Sequence, residues 1–168
     1  MSDIQGWTYV ACPLAHARRY LAGVLPTETL QSQRLELRVP VRIPGADAAL
    51  ATEVMVSCAP EIDPTHESDR WHIRWIPRDQ RLYPSFEGTL AIKGAEDYET
   101  CRLVIEGSYR PPLGPAGEVI DAVLGRRIAQ ATVDELLRTV AASMEQAFRF
   151  DESRKPGAAG RRGGAGNV

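Results

Sequence analysis

Tyr109-Arg110-Pro111-Pro112-Leu113-Gly114-Pro115-Ala116-Gly117 opens the stretch whose reading decides the fold, and from Glu118 to Phe150 no proline interrupts the chain. Across it Val119, Ile120, Val123, Leu124, Ile128, Val133, Leu137, Val140, Met144, Ala147 and Phe148 recur mostly at steps of three and four. That spacing predicts a long helix with one apolar stripe. Glu118 and Asp121 complement the positive end of such a helix. Gly125 costs about 1 kcal/mol relative to alanine in a helix interior, so a kink or a close approach to the neighbouring layer is expected there.

Upstream of this stretch the period changes from 3.6 to 2. Trp7 to Cys12 reads as a short first strand, ended by Pro13, which suits the first turn of a helix running to Gly23. Pro26 and Thr27 restart a second small helical turn. From Arg34 to Ile43, Leu35, Leu37, Val39, Val41 and Ile43 share one side, and Pro40 marks an edge or a bulge. Ala51 to Cys58 alternates next, with Val54, Val56 and Cys58 on one side and Glu53, Met55 and Ser57 on the other. In Arg70 to Ile76 the inward set is Trp71, Ile73 and Trp75, and the outward set Arg70, His72 and Arg74. Phe86, Leu90 and Ile92 share a face in the next run; Cys101, Leu103, Ile105 and Tyr109 share one in the last. Strands gathered apart from a single closing helix read as α+β: an antiparallel sheet of six or seven strands wrapped around the C-terminal helix, with two small helices after the first strand.

With 168 residues, residues 1–150 are expected to form one domain, large enough to bury a core. The remaining 151–168 read as a disordered Gly/Ala/Arg tail. The net charge is −2; the tail carries four basic and two acidic residues, which leaves the body near −4. A basic face for nucleic acid is therefore not expected. Cys12, Cys58 and Cys101 are odd in number and far apart in sequence, which points to buried thiols rather than a disulfide framework. The first ten residues lack a signal-peptide pattern, and no apolar run is long enough to span a membrane. A cytoplasmic protein with no stable membrane insertion is the expectation.

The order of elements resembles the START-like, or SRPBCC, superfamily, which includes the Bet v 1-like proteins and the polyketide cyclases. The likeness of architecture covers about residues 7 to 149, and that of individual residues about 86 to 140. It rests on Phe86-Glu87-Gly88, on Ile105-Glu106-Gly107-Ser108-Tyr109-Arg110-Pro111-Pro112-Leu113-Gly114 with Gly117 and Asp121 beyond, and on Arg127-Ile128-Ala129, Ala131-Thr132, Leu136 and Leu137. The resemblance implies a helix-grip fold, a curved sheet gripping the helix around an internal cavity. Members bind lipids, polyketides or other apolar molecules, and a minority catalyse cyclisation, dehydration or hydrolysis. No catalytic residue is common to them, so none carries over.

The inward faces supply the ligand-binding candidates: Trp71, Ile73 and Trp75, then Phe86 and Leu90, then Leu103, Ile105 and Tyr109, with Leu137, Val140 and Met144 from the helix. Such residues either line a pocket or fill the core completely. Tyr109 and the indole N–H groups of Trp71 and Trp75 are the polar handles that would orient an apolar ligand, or else bond nearby backbone. Glu53 reads as a solvated charge, and as a cavity acid only if the faces slip by one.

His66, Glu67, Asp69 and His72 cluster in sequence without the spacing of a metal site, and His16 belongs on the first small helix. No phosphate loop, nucleophile elbow or cofactor motif is present. The preferred expectation is binding of a hydrophobic small molecule without catalysis. A cyclase or dehydratase acting in the same cavity, and a protein-interaction module using the outer sheet face or tail, are the alternatives. Ligand entry is expected between the N-terminal half of the last helix and the loop at Gly94–Asp97. Nothing in the sequence indicates the oligomeric state.

Overall fold

A computed structural model describes residues 2–25, 34–38, 51–61, 69–77, 83–110 and 122–155. In chain order the elements are β1 (Ser2–Val10), α1 (Leu14–Val24), β2 (Arg34–Arg38), β3 (Ala51–Pro60), β4 (Arg70–Pro77), β5 (Ser85–Gly94), β6 (Cys101–Arg110) and α2 (Ala122–Ser153). The strands form one six-stranded sheet in the order β1-β6-β5-β4-β3-β2, with every pair antiparallel. The α+β fold with a long C-terminal helix is as the periodicity predicts. The second helical turn at Pro26 and Thr27, and the strand residues from Val39 to Ile43, lie outside the described residues.

β1 differs from its sequence reading. It begins at Ser2 rather than Trp7 and ends at Val10 rather than Cys12. Ile4, Gly6 and Val10 face the core, so the inward face carries a glycine at its centre. Trp7 and Tyr9 stand on the outer face, each 56% exposed, with their rings edge-to-face at 5.3 Å. The apolar run from Trp7 to Cys12 thus mixes both faces, which is why it marks the strand poorly. Val104 is buried on this outer face, opposite Trp7 in register.

Helix α1 follows Pro13, whose carbonyl accepts from the His16 and Ala17 amides at 2.9 and 3.0 Å. Its inner side buries Ala17, Tyr20 and Leu21. Arg18 Nη2 donates to Asp69 Oδ2 at 2.7 Å, which ties α1 to the start of β4. His16 is half-buried, its ring centroid 5.9 Å from that of Phe148.

At 32 residues α2 is about 48 Å long. It runs unbroken through the buried Gly125 and continues past Phe150 to Ser153. Tyr20 Oη donates to Asp151 Oδ2 at 2.6 Å, so the last turn docks on α1. The helix meets β1 most closely, then α1, with lighter contact to β6 and β2. The glycine that gives β1 its bare inner face is also what lets α2 approach: a β-carbon on Gly6 would stand 2.5 Å from Val133 Cγ1. Gln130 Nε2 donates to the Gln5 carbonyl at 3.3 Å, and Glu145 Oε1 accepts from the Ala11 amide at 2.9 Å. These two bonds tie the helix to the middle of β1 and to the residue just past its end. Among the described residues no helix is long and apolar enough to cross a membrane.

Candidate binding site on the inner sheet face

The register places the inward side chains in rows that run across the sheet. One row reads Val56, Trp75, Phe86, Tyr109 from β3 to β6. The next reads Cys58, Ile73, Gly88, Gly107 and, on β1, Ile4; the third brings Trp71, Leu90, Ile105 and Gly6 together. The middle row therefore carries two directly opposed glycines at its centre. A β-carbon on Gly88 would stand 2.3 Å from the Glu106 carbonyl oxygen, and one on Gly107 2.4 Å from that of Glu87. Only glycine allows the two strands to approach in this way. The Phe86 ring lies over the bare backbone, its Cζ 2.7 Å from both of those β-carbon positions. Trp75 stacks on Phe86 with centroids 4.1 Å apart and planes 13° apart.

All eleven residues proposed from the sequence are buried, and all belong to one apolar cluster: Trp71, Ile73, Trp75, Phe86, Leu90, Leu103, Ile105, Tyr109, Leu137, Val140 and Met144. Among the described residues the buried polar side chain in this region is Thr132. Its Oγ1 donates to the Ile128 carbonyl at 2.7 Å and therefore accepts from the Tyr83 hydroxyl at 2.8 Å. Burial pushes the Tyr83 phenol up to about 12. Tyr83 was not a sequence candidate, because Leu82-Tyr83-Pro84 belongs to no periodic run. Thr132 stood inside the apolar stripe, one turn from Ile128 and from Leu136, and a lone hydroxyl there was its only signal.

The three sequence-proposed polar handles separate. Trp75 Nε1 donates to the Pro84 carbonyl at 3.2 Å and is committed to the fold. Trp71 and Tyr109, 6% and 3% exposed, make no side-chain hydrogen bond to any described residue. Every fully sealed side-chain polar atom among the described residues has a partner. The Trp71 indole N–H and the Tyr109 hydroxyl are thus not sealed in, although the residues that carry them are more than nine-tenths buried.

The charged candidates lie elsewhere. His72 and Arg74 are exposed on the outer face, where His72 Nε2 lies 3.4 Å from Glu87 Oε1 and Arg70 Nε lies 3.2 Å from Glu61 Oε2. Glu53 pairs with Glu36 in register, and its side chain, like His66 and Glu67, lies outside the described residues. All three cysteines are buried and none forms a disulfide. Burial, with the nearby Glu145 carboxylate, pushes the Cys12 thiol up to about 11, and burial raises Cys101 to about 12.

The entrance expected from the sequence does not form. The Gly94–Asp97 segment, between β5 and β6, lies at the sheet end where β1 finishes, since Gly94 pairs with Cys101 and Cys101 with Val10, and Leu14 Cδ2 would stand 3.2 Å from a β-carbon on Gly94. The helix residue at that end is Glu145, in the C-terminal half of α2. Gln130, in the N-terminal half, bonds Gln5 some 15 residues earlier, about 22 Å away along the helix. An open groove of about 640 Å³ lies beside that earlier part, lined by Asp3, Gln5, Glu106, Ser108, Arg126 and Gln130 among others.

A six-stranded antiparallel sheet packed on one long terminal helix, after a helix inserted behind the first strand, is a specific arrangement. The fold is that of the START-like, or SRPBCC, superfamily. The Zhui aromatase/cyclase from Streptomyces sp. R1128 shares it with a TM-score of 0.53 and 20% identity, over 95% of this chain and 98% of its own. A START superfamily protein from Mycobacterium smegmatis gives a TM-score of 0.52 at 9% identity, over 86% of this chain and 98% of its own. A conserved protein from Geobacillus kaustophilus gives 0.53 at 11% identity, over 87% of this chain and 97% of its own. No protein-family model and no curated protein sequence matches the chain. At such identities the START-like likeness is one of fold.

Proposed function

We propose that the protein binds a hydrophobic small molecule between the inner sheet face and α2, and releases it unchanged. The observation that carries this reading is the state of Tyr109 and Trp71. Neither group is sealed in, so a ligand on this face can meet them where water otherwise would. They stand on a face otherwise made of Ile73, Phe86, Leu90, Leu103, Ile105, Leu137, Val140 and Met144. Apolar area would supply the affinity, at about 25 cal/mol for each Å² removed from water.

A cyclase or dehydratase acting at the same place is the second reading, supported by the shared fold with an aromatase/cyclase. General acid–base chemistry needs a group poised near the working pH. The ionisable groups that this interior offers among the described residues are phenols and thiols, and Tyr83, Cys12 and Cys101 are all held in their neutral forms. Binding without reaction is therefore preferred.

Titration with Nile red, a neutral probe that fluoresces in apolar surroundings, tests the proposal. Saturable binding that a bulky Val140→Trp substitution abolishes, in a variant that melts as the parent does, is the expected result. Linear, non-saturating fluorescence, or saturation indifferent to Val140→Trp, refutes it.

A further inference from the structure

Two cations stand side by side on the outer sheet face, away from α2. Lys93 on β5 lies directly opposite Arg102 on β6, and Arg102 directly opposite Tyr9 on β1. Like charges so placed repel each other and weaken the strand pair. Among the described residues neither cation has an ion-pair partner. We infer that this outer face carries a second binding site, for a flat aromatic molecule bearing one carboxylate or sulfonate. Arg102 and Lys93 hold the anion, and Trp7 and Tyr9 hold the ring.

Register assembles the site. Trp7, Val104 and Ala91 form one outward row, and Tyr9, Arg102 and Lys93 form the next, two residues further along each strand. The rows are about 7 Å apart, a span that a two-ring acid covers. Trp7 and Tyr9 meet edge to face and are each 56% exposed, so both keep open ring surface. Arg102 Cζ lies 5.8 Å from the Trp7 ring centroid, which sets a cation beside an exposed ring. Its N–H groups donate to no described residue, and their planar fork matches the paired oxygens of a carboxylate or sulfonate. An open groove of about 660 Å³ between Tyr9 and the β5–β6 turn gives access to Arg102.

The opposite wall limits the charge of the ligand. Glu96 and Asp97 line the groove on the turn side. The Thr100 amide, with the Thr100 hydroxyl and the Glu99 amide, holds the Asp97 carboxyl below its ordinary value, so it stays ionised. Fixed negative charge close to the cation pair disfavours a doubly charged phosphate monoester. A neutral ring, in turn, leaves the repulsion between Lys93 and Arg102 unrelieved.

Three naphthalenes of similar shape separate the outcomes: 2-naphthalenesulfonate with one charge, naphthalene-2-sulfonamide with none, and 2-naphthyl phosphate with two. The readout is the set of indole N–H signals in the NMR spectrum of the full chain, that of Trp7 being the one lost in Trp7→Phe. The sulfonate should move the Trp7 signal saturably, leave those of Trp71 and Trp75 in place, and fail to displace Nile red. The sulfonamide should bind at least about tenfold more weakly, as the loss of a charge-assisted bond gives, and the phosphate no more tightly than the sulfonate. Arg102→Gln should weaken sulfonate binding by about tenfold or more and Lys93→Gln, an exposed change, by about threefold. Rising ionic strength should weaken it in the parent protein. A Trp7 signal that does not move, sulfonamide or phosphate binding tighter than sulfonate, or an affinity indifferent to both Lys93→Gln and Arg102→Gln overturns this inference. Shifts at Trp71 and Trp75 with displacement of Nile red would put the probe in the interior, which overturns the second site and supports the binding proposal above. The Trp7 signal decides the second site whether or not Nile red binds.

Discussion

Gly6 on β1 and Val133 on α2 meet with no space for a side chain between them. A β-carbon on Gly6 would lie 2.5 Å from Val133 Cγ1 and 3.2 Å from Leu137 Cδ1. Here the terminal helix closes onto the sheet edge, so the width of the interior depends on this contact. Gly6→Ala should destabilise the protein by about 1–3 kcal/mol through overpacking. In a Val133→Ala background, which vacates the contested space, the same substitution should cost clearly less. Denaturant melts of the four proteins measure the coupling; strict additivity would show that the contact is not tight.

The opposed pair Gly88 and Gly107 makes a sharper case, because their neighbours are backbone atoms and cannot turn away. Gly107→Ala would push a methyl group against the Glu87 carbonyl, the Gly88 Cα and the Phe86 ring together. It should destabilise by about 3 kcal/mol or more and disturb the stacked Trp75–Phe86 pair. Near-UV circular dichroism should report the lost Trp75 environment alongside the lowered melting temperature. A variant with native stability and an unchanged aromatic spectrum would contradict the close approach described for these strands.

Alternation alone exposed β4: Trp71, Ile73 and Trp75 inward, Arg70, His72 and Arg74 outward, as found. The apolar stripe of α2 was legible for the same reason, since a fixed period projects onto a fixed face. What sequence could not supply was register. Gly88 and Gly107 are nineteen positions apart and become partners only when β5 and β6 pair. Nor can period reveal that Gly6 faces a helix, since a residue without a side chain contributes nothing to an apolar count. Trp7 and Tyr9 misled for the opposite reason, being large apolar rings turned outward. The division of Trp71, Trp75 and Tyr109 into bonded and unbonded groups depends on where the Pro84 carbonyl lies, which is a matter of loop geometry.

Thr132 and Tyr83 form a polar pair inside an apolar layer, and each depends on the other. Thr132→Val keeps the shape but leaves the Tyr83 hydroxyl without its acceptor. It should cost about 1–3 kcal/mol, the desolvation penalty of an unmet buried group. Tyr83→Phe should cost about 1 kcal/mol. The double variant should cost less than the two added together, because removing both partners leaves nothing unsatisfied. Urea titration of all four proteins checks this; a double variant at or beyond the sum would mean that the hydroxyls act independently.

Alkaline pH should weaken the fold through three buried groups acting together. Cys12 rises from an ordinary 9.0 to about 11, Cys101 from 9.0 to about 12, and Tyr83 from 10.0 to about 12. Each is raised because burial disfavours the anion, with Glu145 adding to the effect at both cysteines. In the unfolded chain the thiols lose their protons near pH 9, while the folded chain holds them. Between those values the native state binds more protons than the unfolded one, so stability falls as pH rises. The contribution is complete below about pH 9 and is lost as pH climbs through 11 to 12. Denaturation midpoints should therefore hold steady up to about pH 9 and then decline. A Cys12→Ala/Cys101→Ala variant should start less stable, through lost packing, yet decline less steeply over the same interval. The thiols should also resist alkylation at pH 8 until denaturant is added. Rapid labelling of native protein, or identical alkaline slopes for parent and variant, would show that the thiols are not held neutral by burial.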